Sequence, residues 1–110
     1  MSNAETTNRG QQMNAAIKFN RLSSGRYIST CGNYYTESGG LSVTLNEWHL
    51  YFLPVAMTED QKATAKNSRV DLPMAMVASL DTNKACKRAA AKHQDWIAAG
   101  GSQDTFNLYR

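Results

Sequence analysis

Four side chains of this sequence have the chemistry of a nucleophile, a general base or a soft metal ligand: Cys31, Cys86, His49 and His93. A thiolate nucleophile needs an imidazole within hydrogen-bond reach and a third group to orient that base. Cys86 and His93 lie seven residues apart in a segment of helical period, two turns and about 10 Å along the axis, too far for a direct bond. Both are therefore expected in the core of the fold. The same four residues are suitable zinc ligands by type, but none falls in the paired spacing that tetrahedral sites use. No metal and no cofactor is expected. Gly39-Gly40 and Gly100-Gly101 do not follow the strand, loop and helix order of a phosphate-binding loop, and Glu59-Asp60 reads as a solvated turn. The chain is expected not to be an enzyme.

The basic residues are the stronger signal. Lys84, Lys87, Arg88 and Lys92 project from neighbouring helical positions with no acidic residue between Asp81 and Asp95, forming a cationic ridge able to contact phosphates. A second basic group, Lys18, Arg21 and Arg26, is interleaved with Phe19, Tyr27, Tyr34 and Tyr35, and bases plus aromatics on a sheet are also how single strands are held. The residues expected to touch nucleic acid are thus Lys84, Lys87, Arg88, Lys92, Arg21 and Arg26. Their ordinary counterparts are a solvated helix face and cross-strand aromatic pairs. The formal charge of +3 is too small to decide between these by itself.

The third group is apolar. Phe106, Leu108 and Tyr109 stand in an otherwise polar C-terminal segment, and Phe106 and Leu108 share one face if that segment is extended. Together with Met57, in a polar loop, they suggest the alternative function: a protein-binding inhibitor of a host defence complex, of the kind phages and other mobile elements encode, acting by steric occlusion around an aromatic anchor.

These groups must be positioned by a small fold. A length of 110 residues suits one domain, and 42 % hydrophobic with 19 % charged residues suits a folded core with polar tails. Residues 1–12 have almost no apolar content and read as a mobile arm, residues 13–100 as the domain, and residues 101–110 as a tail. Trp48-His49-Leu50-Tyr51-Phe52-Leu53 has large side chains on both parities of a strand, so it belongs in the middle of a sheet. Arg26-Tyr27-Ile28-Ser29-Thr30 and Tyr34-Tyr35-Thr36-Glu37 form a hairpin about Cys31-Gly32-Asn33. Leu41, Val43 and Leu45 alternate with polar residues as a half-buried strand does. A weaker strand signal precedes the turn Ser23-Ser24-Gly25. Residues 57–72 read as a long loop containing about one helical turn.

Ala75-Met76-Val77-Ala78-Ser79-Leu80 is a strand that opens at Asp81-Thr82 into an alanine-rich helix, stopped by Gly100. Ala85, Cys86, Ala89, Ala90, His93, Trp96 and Ile97 form its apolar stripe. The expected architecture is α+β, a small antiparallel sheet of three to five strands covered on one face by one C-terminal helix over residues 81–99. Trp48, Leu50, Phe52, Val77, Ala89, Trp96 and Ile97 are the expected core.

The segment from Met76 to Ala90, a last strand running into an Asp-Thr cap and an Ala-rich helix, resembles the ending of plant ethylene-response DNA-binding domains and of the arm-binding domains of tyrosine integrases. That resemblance covers about a sixth of the chain and implies DNA reading by an arginine-bearing sheet face, for which Arg26 and Arg21 are the available residues. Residues 57–72 depart from those families as an insertion. No stretch approaches the roughly 20 apolar residues of a membrane span, the N-terminal residues lack a signal-peptide pattern, and two unpaired cysteines suit a reducing compartment. A cytoplasmic, non-membrane protein is expected, with DNA, RNA or a host protein complex as partner.

Overall fold

The computed structural model describes residues 17–39, 47–68 and 70–106. The N-terminal arm, the strand expected at Leu41, Val43 and Leu45, and the tail residues Leu108 and Tyr109 lie outside the described residues. Within them, five strands, β1 (Phe19–Ser23), β2 (Arg26–Ser29), β3 (Tyr34–Ser38), β4 (Trp48–Phe52) and β5 (Ala75–Leu80), form one sheet in the order β1-β2-β3-β4-β5. Every neighbouring pair is antiparallel. Two helices accompany it, α1 (Glu59–Ala65) and α2 (Asn83–Ala98), followed by a 3-10 turn (Gln103–Thr105). The class is α+β, with β4 in the interior of the sheet, as its two-sided apolar pattern requires.

The strand register sorts the side chains into two faces, because directly opposed residues point the same way. One row runs Phe19, Ser29, and then through β3 and β4 to Tyr34, Phe52 and Ala75; the next runs Arg21, Tyr27, Thr36, Leu50 and Ala78. α2 packs on this face against β5, β4 and β3. Leu50, Tyr34, Cys86, Ala89 and Ala90 form the core between them, with Trp48, Phe52, Val77 and Leu80 packed at its margin. A register shift opposite Leu50 and Tyr51 lets both Val77 and Ala78 of β5 join this layer.

The opposite face is also covered. Leu22, Ile28, Tyr35, Leu53, Met57 and Ala65 form a second core, with Tyr51, Val70, Leu72 and Met74 against it. The segment expected as a long loop is therefore a structured cover built around α1, whose Thr58 and Gln61 form a capping box. Backbone bonds from Met57 N to Gly32 O (2.8 Å) and from Leu53 N to Asn33 O (2.7 Å) fasten it to the β2–β3 turn. Gly32 sits at φ +83°, and a Cβ there would lie 2.7 Å from the Met57 carbonyl oxygen, so only glycine permits that approach. Met57 is buried, not a free apolar residue on a loop.

α2 begins two residues later than the expected segment because Thr82 is the cap, its hydroxyl accepting from Ala85 N at 3.0 Å. At its other end Gly100, at φ +93°, lets Gly101 N reach back to Trp96 O at 2.8 Å. Of the expected core residues, Leu50 and Ala89 are fully buried, whereas Trp96 and Ile97 are half-buried, since the last turn of α2 runs towards the rim of the sheet. Cys86 and His93 take the interior places instead.

Because both faces are closed, Leu50→Ala and Leu53→Ala should each lower unfolding free energy by about 2–5 kcal/mol. Urea denaturation of the two variants checks this. A wild-type midpoint for Leu53→Ala would show that the α1 side contributes no core.

Candidate functional site

Lys84, Arg88 and Lys92 lie at four-residue intervals on α2, a row of cations about 6 Å apart along the axis, and all three are exposed. Lys87, beside them, is half-buried because its ammonium reaches over two rings of the sheet, 5.3 Å from the Tyr27 centroid and 5.8 Å from that of Phe19. Tyr27 in turn packs on Trp48 with centroids 6.1 Å apart. A groove of about 410 Å³ runs along this side of α2, floored by Ile17 and Ala91 and flanked by Lys84, Lys87, Arg88 and Lys92. Asp95 closes one end, its carboxyl pushed above the usual carboxylate range by burial.

The register brings Arg21 to the same face, directly opposite Tyr27. Arg26 points the other way. Its Nε donates to Ser23 Oγ at 2.8 Å and its Nη2 donates to the Ala65 carbonyl, so this guanidinium fastens β2 to α1. It lines a separate concavity of about 360 Å³ with Glu37 and Asp71, where Tyr35 donates to the Glu37 carboxylate at 2.9 Å. Lys18, of the same parity as Asn20, likewise lies off the α2 side. Five of the six basic residues expected to act together therefore share one face, and Arg26 is separated from them by the thickness of the sheet.

The cysteines and histidines are not brought together as a nucleophile and its base. Cys31 is exposed with Sγ 3.2 Å from Ser29 Oγ, and the buried Cys86 donates to the Trp48 carbonyl at 3.5 Å. Burial pushes the Cys86 thiol up to about 11, which keeps it protonated near neutrality. His93 is fully buried between two other partners: Tyr34 Oη is 2.7 Å from Nδ1, and the Gln103 side-chain oxygen bonds Nε2. A neutral ring with its proton on Nε2 satisfies both, accepting from the tyrosine and donating to the amide. Among the described residues no group of three or more His, Cys, Asp and Glu side chains is placed to hold a metal ion, and no helix is long and apolar enough to cross a membrane.

The described part of the tail folds back instead of extending. Trp96 Nε1 donates to Ser102 O at 2.7 Å, Gly101 lies flat against the indole, and Phe106 packs edge-on to His93 at 4.9 Å. Gly100-Gly101-Ser102 reverses the chain, and Phe106 is an internal contact of α2, not a free anchor. The Tyr34, His93 and Gln103 network had one trace in the sequence, a histidine on the apolar stripe of the helix; its partners are 59 and 10 residues away, where no local pattern reaches.

Comparison of the chain with protein-family models, with curated proteins and with solved structures finds no match.

Burial holds the His93 imidazolium disfavoured, lowering its pKa below the ordinary value, with the Gln103 bond acting in the other direction. An unfolded histidine takes its proton near pH 6.5, so the unfolded chain binds more protons below that pH and stability is lost as pH falls. Unfolding free energy should thus decline from pH 7 to pH 5, by at most about 1.4 kcal/mol per pH unit from this group. The decline should flatten in His93→Gln; denaturant titrations at three pH values compare the two slopes.

Proposed function

We propose that this protein binds nucleic acid without catalysing a reaction on it, through the cationic side of α2. Lys84, Arg88 and Lys92 contact phosphates in a row, and Arg21 extends the positive surface over β1 and β2. The observation that carries this reading is the gathering of Lys84, Lys87, Arg88 and Lys92 about one groove, with Arg21 on the same face of the sheet and Asp95 the one carboxylate among the lining residues, itself partly withdrawn from water. A ridge that served only to keep the protein in solution would need neither the groove nor the arginine opposite Tyr27. Phosphate contacts of this kind supply affinity with little dependence on base sequence.

The alternative, steric inhibition of a host protein complex, has less support than the sequence offered it. Met57 belongs to the second core and the half-buried Phe106 packs against His93 of α2, while Leu108 and Tyr109 lie outside the described residues.

Fluorescence anisotropy of a labelled oligonucleotide at increasing salt tests the proposal. Replacing Lys84, Arg88 and Lys92 together by alanine should reduce the slope of log K against log salt by about 2 for a single strand, or somewhat more for a duplex, since each phosphate contact contributes about 0.7 and 0.9 respectively. All three side chains are exposed, so the variant should melt as the wild type does. Absence of any binding by the wild-type protein at low salt would exclude the reading.

A further inference from the structure

We infer that the nucleic acid held along this side of α2 is single-stranded, with its backbone on the α2 row and its bases turned onto the rings of Tyr27 and Phe19, which adjoin the groove beneath Lys87; the inference rests on the phosphate-binding reading above. α2 covers the β1–β2 part of its sheet face only partly, and what that part presents towards the helix is aromatic: Phe19 and Tyr27 are both half-buried, each with a face turned towards the Lys87 ammonium. In a duplex the flat faces of the bases are occupied by their neighbours, whereas in a single strand they are available to stack on protein rings. Rings beside a row of cations are therefore useful to a single strand and of no use to the outside of a duplex.

The dimensions agree. The groove has about 410 Å³, the range of small-ligand clefts, a size suited to a few groups of one strand. A double helix could touch only its rim. Lys87 is the group that must yield. Its ammonium lies over both rings, 5.3 and 5.8 Å from the Tyr27 and Phe19 centroids, with no ion pair among the described residues, and this contact at a partly exposed site is weaker than a stacked base. When bases displace it, the long side chain can swing its charge onto a phosphate. Trp48 packs against Tyr27 with its ring tilted, centroids 6.1 Å apart.

The test uses the full chain, a labelled 15-nucleotide thymidine strand, the corresponding uridine strand, and a 15-base-pair duplex at the same low salt. The thymidine or uridine strand should bind about tenfold or more tightly than the duplex, and the ratio of the two strands distinguishes DNA from RNA as the source. Tyr27→Leu keeps an apolar side chain against Trp48 and removes the ring face. It should weaken single-strand binding about tenfold and leave duplex binding unchanged, with a melting temperature measured alongside; Phe19→Leu should act in the same direction. Equal affinity for strand and duplex, tighter duplex binding, or a Tyr27→Leu effect that is absent or equal on both probes overturns the single-strand inference and leaves phosphate binding standing. Failure of every probe to bind overturns both.

Discussion

A single helix cannot cover a five-stranded sheet. An α-helix with its side chains is about 10–12 Å across, whereas five strands about 4.8 Å apart make a sheet roughly twice as wide. α2 lies over β3, β4 and β5, where Leu50, Tyr34 and the small residues Ala89 and Ala90 allow close approach. That leaves the β1–β2 part of the same face at the margin of the core, where Phe19 packs against it. Phe19 and Tyr27 are the half-buried residues at this margin, and Lys87, which partly covers them, lies beside the cationic row of the helix. The groove follows from the unequal widths of its two layers.

The other face meets the same difficulty differently. There the cover is a chain segment, with the seven-residue α1 and the stretch from Val70 to Met74 laid across β2, β3 and β4. Such a segment has little stability of its own. It is held by backbone bonds to the β2–β3 turn at Gly32 and Asn33, by Lys62 on Thr30 O at 3.2 Å, and by the Arg26 guanidinium on the Ala65 carbonyl. Arg26 thus acts as internal fastening on this side, while Arg21, five positions earlier, lies on the α2 face opposite Tyr27.

The open end of the α2 layer is closed by polar contacts. His93 is buried among Phe52, Phe106 and Tyr34, which would be costly for an imidazole unless both nitrogens were satisfied. Tyr34 and Gln103 meet that requirement, and in doing so they fix the returning chain against the last turns of α2. This ties the 3-10 turn to the sheet and seats Phe106. The same arrangement makes the C-terminal end of the helix the acid-sensitive part of the fold.

Sequence alone determined what depends on near neighbours in the chain. A cap at Asp81 or Thr82, the Gly100 stop, the alanine stripe of α2, the interior position of β4 and the cationic row at Lys84, Arg88 and Lys92 all follow from helical or two-residue period and from end chemistry, which are local. Tertiary structure decided the rest. Whether Arg21 and Arg26 act together depends on the register of β1 against β2, including the irregularity between Arg21 and Ser23, and that register is set by pairing across the hairpin. The burial of Met57 depends on a turn 25 residues away, and the half-exposure of Trp96 on where the helix ends over the sheet. The rings of Phe19 and Tyr27 were visible as residue types, but their position beneath Lys87, next to the groove, was not, because it depends on how α2 packs onto β3, β4 and β5.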